Sequence, residues 1–247
     1  MTEFVARIEN KLQLARFADY MGASVVLARR LYITVINTTV ADVREMVPNG
    51  LANVGAIVGR CAPVTLFYAW LTGVFTAQYI PHVAAPGLLV TIGLTPVSLL
   101  ISGLIFMQRE GVEHAETYAV DTRESGFQYL LDIGLHPLKW IVIPKIISTS
   151  FSFAILSATA SLMILFGISP TTVLGMETHP AIPFGITKAI FSTLVQGYCF
   201  GLWFGFAAFL AGVVGDSDEP GSAASRFIAF AAYVLGNIVF IELFPWK

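Results

Sequence analysis

Charge is what this sequence has least of. Lys and Arg number 14 and Asp and Glu 16 among 247 residues, 12% in all, about half the share of an ordinary soluble domain. So few charges cannot clothe a particle of this size in water, and a net charge of −2 offers no basic field to nucleic acid. Cysteine is almost absent. Cys61 and Cys199 both lie in apolar runs, which excludes a disulfide framework and predicts two small buried side chains. No Gly-Lys-Ser/Thr sequence occurs, so no phosphate-cradling loop of the Walker type is expected. The first ten residues carry Glu3, Arg7 and Glu9, and no long apolar run follows before Arg16 and Asp19, so no secretory signal is expected there.

Apolar residues are there in excess, at 56%, with a mean hydropathy of +0.75. Five runs approach or exceed the ~20 helical residues that cross a hydrocarbon core of about 30 Å: Cys61–Ile80, Gly87–Met107, Ile146–Ile168, Ala189–Gly215 and Phe227–Leu243. Only the last contains a charged residue, Glu242 at its end. Backbone facing lipid must satisfy its own hydrogen bonds, so runs of this length are helices. The fold class expected is all-α integral membrane, with about five transmembrane helices. With the N-terminus in the cytoplasm, the inner segments hold twelve basic residues, from Arg7 to Arg226, and the outer ones hold only Lys188 and Lys247. That asymmetry is the positive-inside rule, and it predicts a multi-pass protein of the cytoplasmic membrane.

Residues 1–48 form an N-terminal amphipathic segment. Phe4, Ile8, Leu12 and Ala15 recur at helical spacing. Met21–Val40 is apolar but has Arg29 and Arg30 at its middle, where a charge costs ~2.5 kcal/mol or more to bring to the bilayer centre. Both stretches are expected to be helices lying along the interface, ended by Pro48-Asn49-Gly50. Residues 49–247 form the membrane domain, with a cytoplasmic loop at 108–138.

Without ionisable residues in the spans, the chain has no coupling-ion relay and no membrane-embedded catalytic dyad. No catalytic residue, metal or cofactor is expected in this chain. Glu110, Glu113 and Glu116 are expected on a solvated helix, and all four histidines map to loops. Gly197, Gly201 and Gly205 run down one face of the fourth span, and Ser150, Ala154 and Ala158 down the third. Such stripes allow close backbone approach. Within the loop, Thr122–Leu135 places Phe127, Leu130, Leu131 and Leu135 at helical spacing before His136-Pro137, with Thr122 or Asp121 as its cap. A short amphipathic helix there is suited to docking a soluble partner. The first span is the most aromatic near its middle. With contributions from the second and fifth it is expected to face an apolar lipid cavity through Phe67, Tyr68, Trp70, Leu71, Phe75, Leu94, Tyr233 and Asn237.

Several motifs resemble the MlaE/YrbE permeases of MCE-type lipid ABC transporters. Leu94-Thr95-Pro96-Val97 is similar to that family's Leu-Gly-Pro-Val, and Phe106-Met107-Gln108-Arg109-Glu110-Gly111 to its Phe-Ala-Gly-Arg-x-Gly. Leu135-His136-Pro137-Leu138-Lys139 with Ile143-Pro144-Lys145 resembles Val-Asp-Pro-Leu-Arg followed by Ser-Pro-Arg. Asn53-Val54-Gly55 and Pro220–Arg226 extend the likeness over about residues 50–247. The chain departs where the family's Glu-Leu-Gly-Pro becomes Gly93-Leu94-Thr95-Pro96, and where Phe127, Tyr129 and Leu130 replace Glu and Met of the coupling helix. The resemblance implies a dimer with a second permease chain, same or homologous. It also implies ABC ATPase subunits carrying ATP and Mg on the cytoplasmic face, a periplasmic MCE ring, and a phospholipid or other lipid as cargo. Phe127, Tyr129, Leu130 and Leu131 are then the expected ATPase contacts. The alternative is a non-transporting scaffold half of a heteromeric permease pair.

Overall fold

A computed structural model describes residues 22, 25–79, 94–124, 126–168, 181–214 and 221–243, the side chains of 40, 41, 77–79, 181–186, 234 and 237–243 excepted. No strand occurs among the described residues. Helix α1 covers 25–36. A turn follows, and α2 (Val40–Tyr79) begins on a reciprocal cap. Asp42 accepts from the backbone N–H and the hydroxyl of Thr39, and Thr39 Oγ1 accepts from the N–H of Asp42.

Helix α2 does not stop at Pro48-Asn49-Gly50 but runs through Pro48 and Pro63 for 40 residues. Proline removes one helical hydrogen bond and crowds the preceding turn, yet here tertiary contact outweighs that loss. Ser148 Oγ donates to the carbonyl of Gly50 across the helix pair, and Gly50 lies against the Pro144 carbonyl at a distance only glycine tolerates comfortably.

Helix α3 (Leu94–Phe106) passes through a π-helical turn, Met107–Gly111, directly into α4 (Val112–Arg123). The expected loop after the second span is therefore mostly a helical arm. No proline interrupts residues 97–136, so nothing local ends the helix at the membrane edge. A seven-residue helix, α5 (Gly126–Asp132), follows. It begins later than the expected Thr122, whose hydroxyl bonds back to Tyr118 inside α4 instead of capping α5. A second π-helical turn, Leu138–Val142, leads into α6 (Ile143–Gly167); α7 (Ala181–Val213) and α8 (Ser222–Leu243) complete the bundle.

Among the described residues, three helical stretches are long and apolar enough to cross a membrane: Asp42–Thr76, Leu138–Gly167 and Thr187–Val213. They overlap the first, third and fourth expected spans, ending one to four residues short of each. Of the second expected span only residues from Leu94 onward are described, and α8 covers the fifth.

The small-residue stripes of α6 and α7 face each other. A Cβ added at Gly197, Gly201 or Gly205 would fall 3.0, 2.5 or 3.1 Å from the Cα of Ala154, Ser150 or Ile146 respectively. Close backbone approach of this kind is how helices gain van der Waals contact in lipid. Beside this seam one core cluster gathers Phe106, Phe153, Phe204 and Phe227 from four helices. Successive rings lie 5.2 to 6.4 Å apart, within the range of favourable aromatic pairs.

One end of the bundle brings together Gly50 with Ser148, Gly212 with Tyr118, and Glu116 with the first turn of α8. The opposite end brings together Ala69, Leu94, Ile164 and Ala189. Helix α1 rests against the first end, with Leu27 and Leu31 on the cluster of Tyr118, Val142, Ile146 and Phe209. Arg29 and Arg30 are exposed. The other expected interfacial stretch, residues 4–15, lies outside the described residues.

Candidate functional site

A concentration of charged side chains lies where α2, α4 and α6 meet. Helix α4 carries Glu113 and His114 one turn beyond Glu110 of the π-helical turn, so all three point toward α2. Arg60 answers them: its Nε lies 3.0 Å from Glu110 Oε1, and its Nη1 donates to Glu113 Oε2 at 2.9 Å. Arg109 Nη1 donates to the Arg60 carbonyl at 2.7 Å.

Glu110 is 1% exposed, and neither of its oxygens accepts a well-aligned hydrogen bond. The Arg60 contact is thus an ion pair by distance but not a directed bond. Burial pushes the Glu110 carboxyl above the usual carboxylate range, and Arg60 opposes the shift. His114 Nε2 lies 3.9 Å from Glu110 Oε2. Burial, with Lys145 and Arg60 nearby, pushes this imidazole down to about 4, so it is neutral at physiological pH.

The expectations of a solvated helix for Glu110 and of a loop for His114 are both corrected here. Their shared face, at i, i+3 and i+4, is legible in the sequence; the continuation of α3 that turns it inward is not. Glu116, on another face of α4, accepts from the N–H of Ala224 at 3.0 Å and so caps α8. Glu113, His114, Arg60, Asn53, Lys145 and Ser148 are among the residues that line a cleft of about 190 Å³. Among the described residues no group of three or more His, Cys, Asp and Glu is arranged to hold a metal.

The expected docking residues divide. Phe127 packs inward on the cluster of Tyr118 and Val142, and Leu130 is half-buried. Tyr129 and Leu131 are exposed, as are Ile133 and Leu135 just beyond α5. The expected lipid-facing residues divide as well. Phe67, Tyr68, Trp70 and Phe75 are exposed on α2 and Tyr233 on α8, and Leu71 is half-buried. Leu94 is 3% exposed, inside the core with Ala69 and Ala189, and so is not available to a cavity. The side chain of Asn237 lies outside the described residues. Of the two cysteines, Cys61 is buried as expected and Cys199 is exposed, because it faces away from the seam that Gly197, Gly201 and Gly205 make with α6.

A chain of hydroxyls ties α3, α6 and α7 together, and sequence reading missed it. Ser161 Oγ lies 2.8 Å from Ser98 Oγ and 3.4 Å from Thr193 Oγ1, and Thr193 Oγ1 lies 3.1 Å from Thr95 Oγ1. All four residues are buried.

Fold and site together define a helical protein whose longest helices suit a membrane, with a charged cluster at one end of the bundle. No protein-family model matches this sequence, and no curated protein matches it.

Proposed function

We propose that this chain is the membrane-spanning permease subunit of a lipid-moving ABC transporter, driven by ATP hydrolysis on a separate polypeptide. The observation that carries the reading is α5. This short helix sits between the arm and α6 at the charged end of the bundle and turns Tyr129 and Leu131 outward, with Ile133 and Leu135 exposed beside it. Exposed aromatic and aliphatic side chains grouped on a polar connection suit the groove of a soluble partner. The motif likeness to MlaE/YrbE permeases supplies the rest: five spans, a cytoplasmic N-terminus in the inner membrane, a second permease chain, ABC ATPases with ATP and Mg, and a periplasmic MCE ring. The exposed aromatics of α2 then face lipid or the second permease chain.

Affinity purification of the tagged chain from its native membrane, with mass spectrometry of its partners, tests this. Recovery of an ATPase carrying Walker motifs, together with an MCE protein, is expected. Recovery of neither under conditions that keep the chain folded overturns the assignment. A scaffold role within the same complex is favoured by one observation: Leu94 and Thr95, beside the position where the resembling family has its cavity acid, are sealed in packing. Complexes that transport lipid when this chain carries the only cavity exclude that role.

A further inference from the structure

We infer that the cleft between α2, α4 and α6 binds the phosphate of a membrane lipid headgroup, held by Lys145, Asn53 and His114. Three side chains that can donate hydrogen bonds, Asn53, His114 and Lys145, line it, and of the three only His114 has a carboxylate beside it, with Nε2 3.9 Å from Glu110 Oε2. Among the described residues, the side chains of Asn53, His114 and Lys145 make no hydrogen bond; the Lys145 ammonium rests over the Tyr118 ring, 4.7 Å from its centroid. The one carboxylate on the cleft wall, Glu113, is already bound by Arg60. A cleft with donors to spare and its acid occupied selects an acceptor-rich anion, and phosphate oxygens are the strongest acceptors available to an ammonium.

Depth and size identify the source. Arg60 immediately precedes the uncharged run that starts at Cys61, and Lys145 the one that starts at Ile146. The cleft therefore lies where two helices enter the apolar layer, at the level of bilayer phosphates. Basic pockets between helices at this level suit headgroups. Its volume, about 190 Å³, falls below the roughly 300 Å³ at which pockets for whole small molecules begin. It accepts a phosphate and part of its alcohol while the acyl chains stay outside. The exposed apolar face of α2 is in place for those chains.

This inference rests on the membrane placement in the proposed function but not on transport. The test uses the full chain in detergent, stripped of lipid, with no ATPase present. Dioleoyl phosphatidylglycerol is titrated and bound lipid counted by native mass spectrometry. Dioleoylglycerol, the same chains without phosphate, is the comparison. Wild type is expected to hold one phosphatidylglycerol and to release dioleoylglycerol. Lys145→Gln is expected to weaken binding about tenfold or more, the effect of one charge-assisted hydrogen bond, and Asn53→Leu about threefold or more. Asn53 is exposed, so that variant folds even where Lys145→Gln does not. Lys188→Gln removes the same charge at the far end of α7 and leaves binding unchanged. Lipid held equally by wild type and both cleft variants overturns the site. Displacement by inorganic phosphate at concentrations that match the lipid overturns the lipid source. A chain that binds lipid here but recovers no ATPase sinks the transporter reading alone.

Discussion

Gly201→Ala isolates the α6 and α7 seam. Its new Cβ would sit 2.5 Å from the Ser150 Cα, 3.0 Å from the Thr149 carbonyl oxygen and 3.1 Å from the Phe153 Cβ. Two of these are backbone atoms, which no rotamer change can move. Ordinary contact requires about 3.5 Å or more, so the helices must part by roughly 1 Å, and the contacts at Gly197 and Gly205 loosen with them. Overpacking of this kind costs ~2–3 kcal/mol when rigid elements have to shift. Alanine returns up to ~1 kcal/mol because it is a better helix former than glycine. The net expectation is a loss of about 1–2 kcal/mol, or roughly 2–8 °C in Tm for a chain of this size. Gly55→Ala is the control: an added Cβ there meets nothing within 4 Å, so stability stays level or rises. Unfolding in detergent is read through a thiol-reactive dye that reports Cys61 on exposure, in a Cys199→Ser background because Cys199 is exposed already. Gly201→Ala unfolding at or above the temperature of Gly55→Ala would refute the packing argument.

Tyr129→Ala with Leu131→Ala is expected to uncouple ATP hydrolysis from lipid movement at an unchanged Tm, since aromatic anchors at interfaces often contribute ~2 kcal/mol or more; Phe127→Ala should instead lower the Tm, because Phe127 packs inward. Wild-type coupling in the double variant, with the complex assembled, removes α5 from the docking role. A photo-crosslinking probe at Phe75 or Leu71 should capture lipid in a way that added lipid competes, whereas a probe at Leu94 should capture protein; uniform capture around α2 means annular lipid only. Because His114 is held down to about 4 in the fold against an ordinary 6.5, the unfolded chain takes up a proton that the folded one refuses as pH falls from about 6.5 toward 4. Stability present above pH 6.5 is therefore lost across that window, on the order of 2 kcal/mol by pH 5, and His114→Gln should flatten the profile measured by the same dye assay. Glu110, Glu113, Arg60 and Lys145 all act on this group, so the check is the difference between variant and wild type at each pH.

Hydropathy made the apolar runs legible because lipid demands uninterrupted apolar helix, and the spacing of small residues, Ser150, Ala154 and Ala158 on α6 and Gly197, Gly201 and Gly205 on α7, marked the faces that pack. Helix ends were not legible in the same way. Pro48 looked like a terminator, but its lost hydrogen bond is outweighed by the Gly50 and Ser148 contact, 98 residues apart in sequence. The charged stretch after Met107 looked like a solvated loop, because the partner of Glu110 is Arg60 on another helix. Such pairings are tertiary, and a local pattern cannot carry them. The Thr39 and Asp42 cap, by contrast, was visible as a Thr-x-x-Asp spacing and went unused.

The hydroxyl chain through Ser98, Ser161 and Thr193 has one further property. Each of these side chains also has a carbonyl within reach on its own helix: Thr95 for Ser98, Ser157 for Ser161 and Ala189 for Thr193. When α3, α6 and α7 draw apart, each of these three hydroxyls keeps a hydrogen bond at home, while the Thr95 hydroxyl gives up its contact with Thr193. Parting these helices gives up van der Waals contact and the cross-links alone. A closure of this kind works as a hook-and-loop fastener does, holding when pressed together and releasing without tearing either face.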